Sequence, residues 1–305
     1  MEDYPRTLLE LEERFSTDKE CRAYLFALRW PDGFVCPRCG GRQAWPMRRG
    51  LWLCRECRHQ ASVTAGTIFQ DSRLPLTLWF RAIWYVTSQK NGVSALGIQR
   101  VLGLGSYQTA WAWLHKLRRA MVRPGRERLS GTVEVDETYW GAQEEGVIGR
   151  LTEDKALILV AVQQNGPQKI GRIRMRRIPD LTQATLHGFI RENIEPASVV
   201  RTDGLSTYAR LEGYRHAPVL ISGSGKTADE LLPRVHRVVS LLKRWLLGTH
   251  QGAVRQGHLD YYLDEFTFRF NRRSSASRGK LFYRLIQQAV QIGPHPYQNL
   301  VKPRL

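Results

Sequence analysis

Two Cys-x-x-C pairs, Cys36-Pro-Arg-Cys39 and Cys54-Arg-Glu-Cys57, stand 14 residues apart and restrict this chain more than any other feature. Each pair turns two thiolates toward one point, and two pairs complete the closed tetrahedral shell of a structural Zn²⁺. The intervening Gln43 to Met47 and Gly50 to Leu53 read as short strands around a basic turn at Arg48 and Arg49. Residues 31–70 are therefore expected to form a four-cysteine zinc ribbon whose folding energy comes largely from the metal. The chain has five cysteines, an odd count that suits four ligands plus one core residue better than a disulfide framework. The fifth, Cys21, sits in an aromatic-rich helical segment within residues 1–30, and His59, just outside the second pair, is read as surface.

Charge indicates the partner. Lys and Arg number 46 against 28 Asp and Glu, a formal +18 over 305 residues. Such an excess favours a polyanion, because each phosphate neutralised releases condensed counterions. No apolar run approaches the roughly 20 residues of a membrane-spanning helix. The opening Met1-Glu-Asp-Tyr-Pro5 lacks the basic start and apolar run of a signal peptide. A soluble, cytoplasmic, nucleoid-associated bacterial protein with no membrane partner is expected.

Over residues 71–122 apolar side chains recur at helical spacing in three runs, broken at Asn91-Gly92 and at Gly103-Leu-Gly105. The outline is a helix-turn-helix, with Ser106 as the cap of a third helix running Tyr107 to Met121. Gln108 and Thr109 in its first turn could reach base edges, while His115, Lys116, Arg118 and Arg119 further along could hold phosphates. A plain helical bundle with Trp111, Trp113 and Leu114 in its core would show the same spacing. Arg123-Pro-Gly-Arg-Glu-Arg128 then breaks the periodicity and marks a domain boundary.

Beyond it, Gly131-Thr-Val-Glu-Val-Asp136 alternates as a strand, with Val133 and Val135 on one face and Glu134 and Asp136 on the other. Ala156 to Val162 is apolar throughout and reads as a strand buried on both faces. Lys169 to Ile178 interleaves Arg172, Arg174, Arg176 and Arg177 with apolar residues, and its basic face is expected to meet DNA. A helix over Thr182 to Asn193 and a strand over Ser198 to Thr202 follow, the strand ending at Asp203. A carboxylate at each of two strand ends in an α/β sheet places Asp136 and Asp203 at one site. A last helix, Leu231 to Leu247, buries Leu232, Val235, Val238, Val239, Leu242 and Leu246, and turns His236 and Lys243 the other way, seven residues apart.

The stretches Val-Glu-Val-Asp136-Glu-Thr-Tyr-Trp-Gly, Thr-Asp203-Gly, His236-x6-Lys243-Arg-Trp-Leu-Leu-Gly-Thr-His250 and Tyr262-Leu-Asp-Glu-Phe-Thr-Phe-Arg-Phe-Asn-Arg-Arg273 resemble the insertion-sequence transposases that join a zinc ribbon to a DDE-type, ISXO2-like domain. The resemblance runs over nearly the whole chain. It implies a ribonuclease H-like α/β domain over residues 131–290, a mixed sheet with flanking helices, followed by a C-terminal tail over 291–305. It also implies a polynucleotidyl transferase that uses Mg²⁺ or Mn²⁺ to cut DNA at the element's terminal inverted repeats and join it to target DNA. Asp136 and Asp203 are then the first two catalytic acids and metal ligands. His236, 33 residues after Asp203, stands where the general pattern has Glu, and Lys243 matches the basic residue seven further on. Lys243 and Arg244 are assigned to DNA. Two element ends must be brought together, so a homo-oligomer assembled on double-stranded DNA is expected.

His236 leaves alternatives open. It ligates the catalytic metal or touches the scissile phosphate, or it marks an inactive copy that only binds DNA, or it is structural while Glu230, Asp264 or Glu265 takes its place. Gly223-Ser-Gly-Lys-Thr227 has Leu220 where a phosphate loop needs glycine and is set aside. Phe266, Phe268 and Phe270, among C-terminal arginines, are assigned to the core.

Overall fold

The structure is a computed structural model that describes residues 2–123, 125–141, 155–220 and 224–301, so Gly223 lies outside the described residues. The chain forms two compact units, one of Met1–Arg123 with Ser274–Lys302, the other of Pro124–Arg273 with Pro303–Leu305.

In the first unit, helix starts follow capping chemistry. Thr7 and Thr17 each accept a backbone N–H three residues on, and Thr17 with Glu20 closes a capping box, which sets the starts of α1 (Leu8–Arg14) and α2 (Asp18–Arg29). β1 (Ala44–Pro46), β2 (Leu51–Cys54) and β3 (Gln60–Ser62) make the expected antiparallel ribbon. Arg49 and Gly50 turn the chain between β1 and β2 with φ of 64° and 72°, the left-handed region that a tight turn needs. Helix α2 backs the ribbon: Phe26 meets Trp52 at 4.5 Å between ring centroids, and Arg29 donates to the carbonyls of Ser62 and Val63 at 2.8 and 2.9 Å.

The three helices read from the sequence are α3 (Leu76–Ser88), α4 (Ala95–Leu102) and α5 (Tyr107–Ala120). Ser94 caps α4, Gly103 ends it in the left-handed conformation, and Trp79 stacks on Trp113 at 3.9 Å. Ser106 does not cap α5 with its side chain; its hydroxyl donates to Gln108 Oε1 at 2.6 Å instead.

The second unit contains β4 (Thr132–Trp140), β5 (Ala156–Gln164), β6 (Ile170–Ile178), α6 (Gln183–Asn193), β7 (Val199–Thr202), β8 (Arg215–Pro218), α7 (Ala228–Leu231), α8 (Pro233–His250) and α9 (Leu259–Asn271). The sheet order is β6-β5-β4-β7-β8, antiparallel through the first three strands and parallel from β4 to β8, which is the ribonuclease H-like mixed sheet expected. β5 explains its unbroken apolar run by feeding two cores. Ile158, Val160 and Val162 pack with α8 and α9, and Leu157, Leu159 and Ala161 with α6. β4 does not stop at Asp136; Glu137 to Trp140 stay paired with Leu159 to Ala156. β8, Arg215-His-Ala-Pro218, escaped sequence reading because it is short, polar and ends in proline.

Two C-terminal helices return to the first unit. In α10 (Arg278–Ala289), Phe282 lies 5.7 Å from both Phe80 and Trp84, and in α11 (Tyr297–Val301), Tyr297 lies 6.2 Å from Trp111. The sequence reading ran the catalytic domain to residue 290, but the chain changes unit at Ser274. An amphipathic stripe declares that a helix is buried without declaring against which core. Among the described residues no helix is long and apolar enough to cross a membrane.

Candidate active site

Strand register brings the two aspartates together. β4 pairs with β7 as Thr132 to Val199 and Glu134 to Arg201, and the same offset sets Asp136 beside Asp203, one residue past the end of β7. Ligand oxygens of Asp136, Glu137 and Asp203 all lie within 4.8 Å of one another, and the three residues are half-buried. Neighbouring contacts hold them. Asp203 Oδ1 accepts the Leu205 N–H at 3.1 Å, and Glu137 Oε2 accepts the Tyr208 hydroxyl at 3.1 Å. Tyr208 is fully buried, and burial together with the charges of Glu137, Asp136 and Asp203 pushes its phenol far above the usual range, so it stays a donor.

Glu137 was not among the residues singled out from the sequence. Consecutive strand residues point to opposite faces, which argues against Asp136 and Glu137 sharing a ligand. Pairing of β4 to β7 ends at Glu134, however, so beyond it β4 borders an open edge toward which both carboxylates can lean. The signal available was the Asp-Glu adjacency at the expected strand end.

His236 reaches this group. Its Nε2 is 3.3 Å from Asp136 Oδ2 and its Nδ1 is 3.0 Å from Asp229 Oδ1. Glu230 is engaged within its own helix: its carboxylate accepts the Thr227 N–H at 2.8 Å in the capping box of α7, which also lowers its pKa. Glu265 is buried and bonded to Arg269 at 2.7 Å, and Asp264 lines a cleft with Arg126, Arg176 and Arg177. Lys243 lies about two turns along α8 from His236, half-buried, where desolvation lowers the pKa of its ammonium group.

The helix carrying His236 is fixed by a buried carboxylate. Glu134, with no exposed side-chain surface, accepts the N–H groups of Arg234 and Val235 at 2.8 and 2.9 Å and the Arg234 guanidinium at 2.7 Å. An anion there is favoured by the helix dipole and by the free N–H groups of the first turn. Glu134 stands two residues before Asp136, and Val235 one residue before His236, so this anchor sets the register in which imidazole meets carboxylate. Glu134→Ala would strand the Arg234 charge in the interior and is expected to cost about 3–5 kcal/mol in urea unfolding. Glu134→Gln, which keeps an oxygen for the helix N–H groups, should fall between that variant and the parent. An Ala variant of parental stability would contradict the anchor.

The ribbon cysteines fit zinc. Cys36 and Cys57 Sγ atoms are 3.6 Å apart, as are those of Cys39 and Cys54, close to the roughly 3.8 Å edge of a tetrahedron with 2.3 Å Zn–S bonds. Burial opposes ionisation of Cys36, but the N–H groups of Cys39 and Arg38 together with the thiols of Cys57 and Cys39 outweigh it and bring the thiol down to about 7.

The residues assigned to DNA from the sequence are divided by the fold. Gln108, Thr109 and Lys116 line a cavity of about 510 Å³ with Arg73 and Tyr297, and desolvation lowers the Lys116 pKa. Arg119 bonds His295. Arg118 is 2% exposed and contacts the buried His115, so in this fold neither reaches a phosphate; the helical period puts both on the core side of α5. Arg174 is 3% exposed, donates to the carbonyls of Ile173 and Glu127, and its pKa falls to about 10 because of burial, so the basic face expected on β6 is partly covered. Arg176 is exposed, paired with Glu192 and lying 5.6 Å over Phe189, and Arg244 is exposed on α8.

Residues 128–271 match the ISXO2-like transposase domain, and residues 16–60 match the transposase zinc-ribbon domain. An uncharacterized protein in transposable element ISH50 of Halobacterium salinarum is 25% identical over 280 residues, covering 84% of this chain and 91% of that one. A crystal structure of the catalytic core domain of BIV integrase aligns with 49% of this chain and 89% of that chain at 18% identity and a TM-score of 0.33. The fold assignment rests on the strand order.

Proposed function

We propose that the chain, whose residues 16–60 and 128–271 match a transposase zinc-ribbon domain and an ISXO2-like transposase domain, binds the ends of its element, cuts a DNA strand there and transfers the freed 3′ hydroxyl to target DNA. The observation that carries this reading is the convergence of Asp136, Glu137 and Asp203 with the His236 imidazole at the end of a parallel strand pair. Three carboxylates within 4.8 Å suit a hard divalent cation such as Mg²⁺ or Mn²⁺, which takes oxygen ligands. Asp136, Glu137 and Asp203 would hold such a cation, which would supply Lewis-acid activation of the attacking water or 3′ hydroxyl and stabilisation of the leaving oxygen.

The residues of the chain then divide the work. Asp136 and Asp203 hold the metal from adjacent strands, and Glu137, steadied by Tyr208, adds the third carboxylate. His236 lies against Asp136 and is positioned to orient that carboxylate or to touch the scissile phosphate. Lys243 and Arg244 contact DNA phosphates along α8.

The test incubates purified protein with labelled element ends, target DNA and Mg²⁺ or Mn²⁺, scoring cleavage and strand transfer separately. Both products are expected, and DNA binding without either would identify an inactive DNA-binding relative instead. If His236 acts as a ligand, His236→Glu should retain or raise cleavage while His236→Ala lowers it. Equal losses in the two variants would remove the ligand role.

A further inference from the structure

Trp45 is a large ribbon side chain that the fold leaves open. On β1 it faces Leu53 across the sheet, while the neighbouring pair Pro46 and Trp52 points to the other side, where Trp52 packs on Phe26 of α2. Trp45 is 42% exposed. The exposed Arg55 and Arg58 place their guanidinium groups 4.8 and 5.6 Å from its ring centroid, and Arg55 is further held by Gln43 at 3.1 Å. Cation–π contact of this kind orders the guanidinium groups while their N–H donors remain available. From Cys36 to Gln60 the charged side chains are Arg38, Arg42, Arg48, Arg49, Arg55 and Arg58 against Glu56, whose carboxylate lies against Gly41. An exposed indole set among arginines complements a polyanion with apolar faces, and charge complementarity selects DNA over a neutral or basic protein partner.

We propose that this outer face of the ribbon is a DNA-contact surface, with Trp45 packed on a nucleotide and Arg55 and Arg58 on flanking phosphates. It rests on the DNA-transposase reading and adds a contact surface separate from α5. The experiment measures binding of the full-length zinc-loaded protein to labelled element-end duplex over a range of salt concentrations. R55A/R58A should reduce the slope of log K against log salt by about two, since each phosphate contact contributes about 0.9. W45A should weaken binding to the same element end carrying an unpaired 3′ tail roughly 5- to 150-fold with the slope unchanged. Zinc content, read for every variant, should stay at the parental level because these side chains are on the surface. Parental affinity and slope in both variants would overturn the surface and leave the transposase reading standing. Failure of the parent protein itself to bind DNA would overturn both.

Discussion

Asp136→Asn and Asp203→Asn are each expected to reduce strand cleavage by on the order of 10³-fold or more while leaving binding to element ends within a few-fold of the parent. Asn matches Asp in shape, and at position 203 its carbonyl oxygen can still accept the Leu205 N–H, so the turn after β7 survives. What disappears is one unit of negative charge from a group of three carboxylates within 4.8 Å, and with it the attraction for a divalent cation. Removing a mutual repulsion could even steady the metal-free fold, so unfolding midpoints should not fall. Glu137→Gln separates the three-carboxylate site from a two-aspartate one: a ligand role requires a loss of at least about 10-fold in cleavage. Cleavage by Asp136→Asn at the parental rate would remove the site assignment, and loss of DNA binding together with cleavage would point to a folding defect instead.

The second large effect concerns zinc. Chelation, or Cys54→Ser, should unfold the ribbon while the α/β unit keeps its sheet. The three ribbon strands are three, four and three residues long, and with Ala61 and Val63 they bury little apolar surface. Structural zinc supplies apparent binding energies of about 10–16 kcal/mol in such small modules, more than this core can replace. Hydrogen exchange should show protection lost over β1–β3 and kept over β4–β6. Zinc affinity should weaken as pH falls, because the ligands are thiolates and protons compete for them. Ribbon strands that stay protected after complete zinc removal would contradict a metal-supported fold.

What sequence alone determined here was local chemistry. Two Cys-x-x-C pairs specify a tetrahedral site because a two-residue gap lets the thiolates of each pair converge, and the 3.6 Å Sγ separations from one pair to the other bring all four to one point. Helices α3 to α5 followed from spacing and from the breaks at Gly92 and Gly103, and the buried stripe of α8 followed from its period. Asp136 and Asp203 were legible as strand-end carboxylates, and His236 as the outward residue of α8.

Only the tertiary structure decided which charges meet. Glu137 joined the site because β4 outlasts its pairing with β7, and Glu134, indistinguishable from Asp136 by alternation, became the buried anchor of α8. Arg118 and Arg174 read as DNA contacts until packing buried them, since a cation in a sequence carries no mark of whether a carbonyl or a phosphate will receive it. The unit that α10 joins was decided the same way, because periodicity fixes the face of a helix that is buried and tertiary packing fixes the surface that buries it.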